Sequence, residues 1–187
     1  IIATGGWVRI SDAGESCPDW PTCFGTWGFD VSAEDQEQWW EENPDEVDSR
    51  GAGHRYTSDQ IFTEWLHRGL VGIIGILVIY SHYTAWSLRN EIGEKTYKLH
   101  YLATVLLVMQ AVVGYVTVEL DNAPWTVALH LFMALMFTTS LMAVGLLWWQ
   151  NQTGLPDYLT AGNEKILNII WYMMLFILIQ LLIGAFL

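Results

Sequence analysis

Basic residues are scarce in this chain: its 187 residues carry 8 Lys or Arg against 20 Asp or Glu, a formal net charge of -12. So few cations give no basic patch for a phosphate backbone, and no nucleic-acid partner is expected. Cysteine is nearly absent. Cys17 and Cys23 are the two thiols, with no His near them in sequence, too few ligands for a closed metal site. Charge is also missing from most of the second two-thirds. The acidic residues crowd into Arg9–Ile61, which holds thirteen Asp or Glu against three Arg. Beyond it lie four long, mostly apolar runs, Phe62–Leu88, Leu99–Val118, Trp125–Trp149 and Ile166–Leu187. Each approaches or exceeds the roughly 20 residues that a membrane-spanning helix requires. Being apolar on all faces, they do not read as soluble helices, which show a single apolar stripe.

The expected fold is therefore all-α: an integral membrane bundle of four complete helices plus the end of a preceding one, Ile1–Val8. The expected organisation is 1–8 as that helix end, 9–61 as an acidic loop, 62–149 as three spans, 150–165 as a loop and 166–187 as the last span. The chain starts without Met and its last run has no polar flank, so it reads as a piece of a longer protein. Basic residues in short loops mark the cytoplasmic side. Arg89, Lys95 and Lys98 put the loop 89–98 inside, whereas Glu119 and Asp121 put the next one outside. Alternation then makes Arg9–Ile61 extracytoplasmic, in a plasma-membrane protein. Within that loop Ala33–Ser49 reads as a short acidic helix or a mobile solvated run, with Trp39 and Trp40 resting on the membrane or on the rest of the loop.

Ionisable residues inside membrane helices are costly and mark function. The sharpest cluster is Glu64-Trp65-Leu66-His67-Arg68. Glu64 and Arg68 are four apart and can pair, and Glu64 and His67 lie one turn apart. Gly69, Gly72 and Gly75 follow, a strip with little side-chain bulk that lets a helix or a flat porphyrin approach. His130 lies five residues after Trp125, at the depth predicted for His67, within about 8 Å of the outer boundary. Two imidazoles facing each other across a bundle can ligate heme iron, with Arg68 meeting a propionate. A hydrogen-bonding role for each His is the bland alternative. His82 and His100 fall near the inner side, as a second heme site or as headgroup-region residues. Cys17 and Cys23 favour a disulfide in an oxidising compartment. So short a loop gains ~2 kcal/mol from closure. As a strained, exposed bridge it would be readily reduced, so a redox role stands beside that of a staple. Gln110-Ala-Val-Val-Gly114 is echoed by Gln180-Leu-Leu-Ile-Gly184, a faint sign of duplicated helix groups.

Four strings then stand in order: Gly5-Gly6-Trp7-Val8-Arg9; Ser16-Cys17-Pro18-Asp19-Trp20-Pro21-Thr22-Cys23; Glu64-Trp65-Leu66-His67-Arg68; and Pro124-Trp125 with Leu129-His130. Together they resemble the N-terminal half of the heme A synthase family. The resemblance implies an eight-helix membrane oxidoreductase that converts a methyl group of heme O to the formyl of heme A, for cytochrome oxidase. It implies His67 and His130 as iron ligands of the substrate heme, Glu64 as the catalytic carboxylate and Cys17–Cys23 as a disulfide. It also implies heme b in the C-terminal half, with heme O synthase and an electron-transfer protein as partners. Two departures stand out. Ser11-Asp12-Ala13-Gly14-Glu15 carries two acids where the family has Thr-Gly-Ser-Gly-Leu, and the stretch from Cys23 to Glu64 is longer and more acidic. The competing readings are a bis-His membrane cytochrome, with His82 and His100 as its second site, and a heme carrier.

Overall fold

A backbone segment without access to water has to satisfy its own N–H and C=O groups, which favours helix wherever the apolar runs are long. The computed structural model describes residues 1–154 and positions 172–173, 175–176, 179–180 and 183–184. Its described elements are helical: α1 (Ile2–Ile10), α2 (Ala33–Glu42), a 3-10 turn (Pro44–Glu46), α3 (Ser58–Ser87), α4 (Arg89–Ile92), α5 (Glu94–Glu119) and α6 (Pro124–Thr153). Among the described residues three helices, α3, α5 and α6, are long and apolar enough to cross a membrane. They correspond to the first three expected spans. The fourth, Ile166–Leu187, lies largely outside the described residues.

The helices start earlier than the apolar runs because polar residues cap them. Ahead of α3, the Thr57 backbone N–H donates to Gln60 Oε1 at 3.0 Å and Gln60 N–H donates to Thr57 Oγ1 at 3.3 Å. This reciprocal pair satisfies donors that a helix start leaves open. Pro124 opens α6, where its missing N–H costs nothing. Large apolar side chains point outward along the spans, including Ile76, Ile79, Val108, Met142 and Leu146. A water-soluble monomer rarely exposes so much contiguous apolar surface, whereas lipid accommodates it. The protein is thus an integral membrane protein.

The chain divides into two compact units: residues 1–77 with 114–123, and residues 78–113 with 124–187. In the first, the core is the loop's own. Cys17, Cys23, Phe24, Val31, Trp40, Tyr56 and Ile61 are buried together, with Trp39, Val47 and Trp65 packed against them. The Phe24 ring meets Trp39 and Trp40 edge-on, at 5.5 and 5.4 Å between centroids. The first part of the acidic run, Ala33–Glu42, is a helix, and its paired tryptophans rest on the loop. Ser32 caps α2 through a capping box with Asp35, and its hydrogen bonds hold the Asp35 carboxyl below the ordinary range. Buried Gln36 ties α2 to the strand-like approach to α3, donating to Tyr56 O at 3.0 Å and accepting from Tyr56 N–H at 2.9 Å. Arg50 reaches Asp12 Oδ1 at 2.8 Å and Glu15 Oε2 at 3.5 Å.

In the second unit, small buried residues, Ala85, Ala103, Ala128 and Ser140, mark where side-chain bulk is least. Such residues let membrane helices approach closely. Polar side chains pair across the helices there. Ser81 Oγ lies 2.8 Å from His100 Nε2, and His82 Nδ1 lies 2.9 Å from Thr104 Oγ1.

Candidate functional site

The first unit builds its polar centre on one turn of α3. Glu64 is 3% exposed, and burying a carboxylate demands compensating partners. It has them on both oxygens. Oε2 accepts from Ser16 Oγ at 3.1 Å and from the Cys17 backbone N–H at 3.0 Å, and Oε1 accepts from Arg68 at 2.5 Å. Oε2 has both acceptor sites engaged, whereas Oε1 can accept one donor more.

Arg68 is the second half of this centre. Besides Glu64 it donates to the carbonyls of Asp19, Thr22 (3.1 Å) and Cys17 (2.6 Å). Both terminal nitrogens of the guanidinium are thereby engaged on the segment between Cys17 and Cys23. A planar fork with fixed donor directions can bridge several carbonyls at once, which an ammonium cannot. The segment is closed by the Cys17–Cys23 disulfide, as the sequence led us to expect. Its sulfurs are not the exposed pair expected, however: Cys17 is 0% and Cys23 2% exposed, because the aromatic core closes over them. Asp19 braces the same turn, accepting from Thr22 Oγ1 and from Gly25 N–H at 3.0 Å. Trp65 adds a bond to Trp27 O at 2.8 Å.

His67 faces α1. Its Nδ1 lies 3.0 Å from Thr4 Oγ1. A Cβ placed on Gly5 would meet His67 Cε1 at 3.3 Å, so the glycine makes room for the ring. The Gly69, Gly72 and Gly75 positions have no other residue within 4 Å of a built Cβ among the described residues.

The second unit holds His130, with Gln110 Nε2 at 3.1 Å from both ring nitrogens. An atom equidistant from both nitrogens at that range lies over the ring face, since in the ring plane it would collide with the carbon between them. The amide thus supports the imidazole without standing in either lone-pair direction. His82 and His100 have ring centroids 5.7 Å apart. Their hydroxyl partners make them a polar seam between helices, a role that differs from both expectations for them.

Five partners escaped sequence reading: Thr4 beside His67, Ser16 and the Cys17 N–H on Glu64, Gln110 on His130, and Asn122, which donates to Glu15 Oε1 at 3.2 Å. Gln110 carried a signal in its Gln-x-x-x-Gly echo, and Ser16 and Cys17 in the cysteine string.

Fold and site define a helical integral membrane protein in which a disulfide-closed loop is fastened over a buried Glu–Arg pair. Comparison with known proteins gives the family. The profile of the cytochrome oxidase assembly protein family, COX15-CtaA, matches residues 1–187, and the chain belongs to that family. It is 27% identical over 188 residues to a heme A synthase of Shewanella oneidensis, covering 99% of this chain and 52% of that protein. It is 22% identical over 188 residues to a heme A synthase of Exiguobacterium sibiricum, covering 100% of this chain and 54% of that protein. The chain spans about half the length of these curated relatives. No solved structure shows a significant match.

Proposed function

We propose that this chain forms the N-terminal half of a heme A synthase, a membrane oxidoreductase that oxidises a methyl group of heme O to the formyl of heme A. The supporting observation is the joint placement of Glu64 and His67 one turn apart on α3, the carboxylate sealed by the loop and the imidazole seated on α1. Metal-ligating histidines regularly engage an oxygen through their second ring nitrogen, and His67 does so through Thr4. The residues present therefore fit a heme.

In this reading His67 and His130 would hold the iron of the substrate heme, which would supply the redox chemistry when bound. Glu64 is the catalytic carboxylate, accepting a proton or stabilising positive charge that develops beside the ring. Water is kept from Glu64 by the Cys17–Cys23 segment, which lowers the local dielectric and strengthens that stabilisation. Arg68 was expected at a propionate; its hydrogen bonds support a positioning role, holding the loop and Glu64 together. The long loop faces outward from the plasma membrane, heme b belongs to the C-terminal half, and heme O synthase and an electron acceptor are the partners.

The test is to co-express the complete parent gene with heme O synthase in a bacterium lacking heme A and to weigh the extracted hemes. Heme A or its hydroxylated precursor supports the synthase. Heme O recovered unchanged from a folded, heme-loaded protein favours the cytochrome or carrier. Glu64→Gln should abolish formyl production while heme stays bound, and persistent formyl production would remove Glu64 from catalysis.

A further inference from the structure

The long acidic loop has one stretch, Trp20 to Phe29, in which Asp, Glu, Lys and Arg are absent but for none, except at its flanks: Asp19 precedes it and Asp30 follows it. Within it Phe24 turns inward to the loop's core. The chain then reverses, with Cys23 N–H donating to Thr26 O at 2.9 Å and Thr26 N–H to Cys23 O at 3.1 Å. The next aromatic points away from the core, and Trp27 is 75% exposed. Its carbonyl accepts from Trp65 Nε1 at 2.8 Å. Two residues on, the Phe29 ring meets Phe62 edge-on at 4.9 Å and Trp65 at 5.1 Å between centroids. Residues 27–29 are thus fastened to α3 at Phe62 and Trp65.

That part of α3 belongs to a membrane span. Phe62, Leu66, Ile73 and Leu77 recur at helical spacing on one side of it, and all four are exposed, as a lipid-facing stripe is. Phe62 is the first of them and Phe29 packs on it, so Trp27 and Phe29 carry the lipid-facing surface onto the loop. Aromatic rings at this level suit the boundary between headgroups and acyl chains, whereas in water they would form an exposed apolar patch. Charge does not draw the loop down. With thirteen acids against three Arg in Arg9–Ile61, anionic lipid repels it, and attachment falls to the uncharged aromatic stretch.

We propose that Trp27 and Phe29 insert into the bilayer boundary beside the start of α3, and that the bilayer thereby holds the Cys17–Cys23 segment over Glu64. The partner is the interfacial zone of an uncharged phospholipid. The tight turn from Cys23 to Thr26 joins the inserted rings to that segment, so releasing the rings loosens the cover. The proposal does not depend on the heme reading.

The test uses the complete parent protein in phosphatidylcholine nanodiscs, with p-benzoylphenylalanine in place of Trp27. Only the backbone of Trp27 is held by Trp65, so the exchange leaves that bond in place. After irradiation, mass spectrometry should find a phospholipid adduct at position 27, well above the yield from the same probe at Glu34, which is exposed on α2. An adduct to polypeptide overturns the proposal, because another part of the protein then covers the site. A lipid yield no higher than at position 34 overturns it as well, because the ring then faces water. The hold on the loop is read from reduction of the buried Cys17–Cys23 bridge by a water-soluble phosphine. Trp27→Ser should speed that reduction roughly tenfold, the worth of one partly inserted aromatic ring, and Trp27→Tyr should restore most of the protection. An unchanged rate in Trp27→Ser overturns the role of the bilayer in holding the cover, even where the lipid adduct forms.

Discussion

Replacing Arg68 by Met keeps the length of the side chain and removes all four of its hydrogen bonds. Glu64, whose side chain is 4% exposed, would be left with Ser16 and the Cys17 N–H as donors and without its counter-charge. Breaking one side of a buried ion pair costs about 3–5 kcal/mol. The carbonyls of Cys17, Asp19 and Thr22 lose their shared donor at the same time. The cost falls on the loop, so the loop is where to measure it. The disulfide sulfurs are buried, and a water-soluble phosphine reaches them only when the loop opens. Reduction then reports the population of the open form. At 1.4 kcal/mol per decade, Arg68→Met should speed reduction of Cys17–Cys23 by roughly two to three and a half powers of ten. Arg68→Lys keeps the charge near Glu64 and loses the fork. One lost charge-assisted bond costs about 1.5–3 kcal/mol, so its rate should lie between wild type and Arg68→Met. A reduction rate for Arg68→Met within about threefold of wild type would refute the clamp.

Other parts of the loop give further tests. Burial raises the carboxyl of Glu15 above its ordinary range, against the lowering effects of Asn122 and Arg50. The folded loop then holds that proton to higher pH than the unfolded chain does, so stability falls as pH rises through the interval between the two values. Glu15→Gln, which still accepts from Asn122, should flatten that slope in a pH series of loop protection and leave the loop more stable at neutral pH; an unchanged slope would count against it. Ser32→Ala removes the α2 capping box at a cost of about 1 kcal/mol, read as roughly fivefold faster hydrogen exchange in the first turn of α2. Gly14→Ala would put a Cβ 2.8 Å from Asn122 Nδ2. Asn122 must swing away and lose Glu15, lowering the loop's thermal midpoint by an amount equivalent to about 1–2 kcal/mol.

What could be read beforehand follows from the range over which each force acts. Membrane spans are set by local composition, and α3, α5 and α6 were legible to within a few residues. Their starts were less so, because Thr57 with Gln60 is a polar cap that an apolar count passes over. Glu64 and Arg68 are four apart on one helix, so their pairing was visible; that both would turn towards the Cys17–Cys23 segment depends on contacts more than forty residues apart. The depth of the disulfide was misjudged for the same reason. It is covered by Phe24, Trp40 and Tyr56, whose convergence no local pattern announces. Thr4 looked like an ordinary helical residue, since nothing in its neighbours reveals an imidazole sixty-three residues later.

The bond between Asn122 and Glu15 joins residues 107 positions apart, and this gives the loop a place in the order of biogenesis. On the ribosome, Cys17 and Cys23 emerge long before Asn122 is translated. During that interval Gly14 and Glu15 have no partner from the turn after α5, and the acidic segment is incompletely fastened. Oxidation of the thiols can therefore precede the final closure, while the sulfurs are still reachable by an oxidant. Once α5 has been inserted and its turn has arrived, the finished loop shields the bond that was made in it.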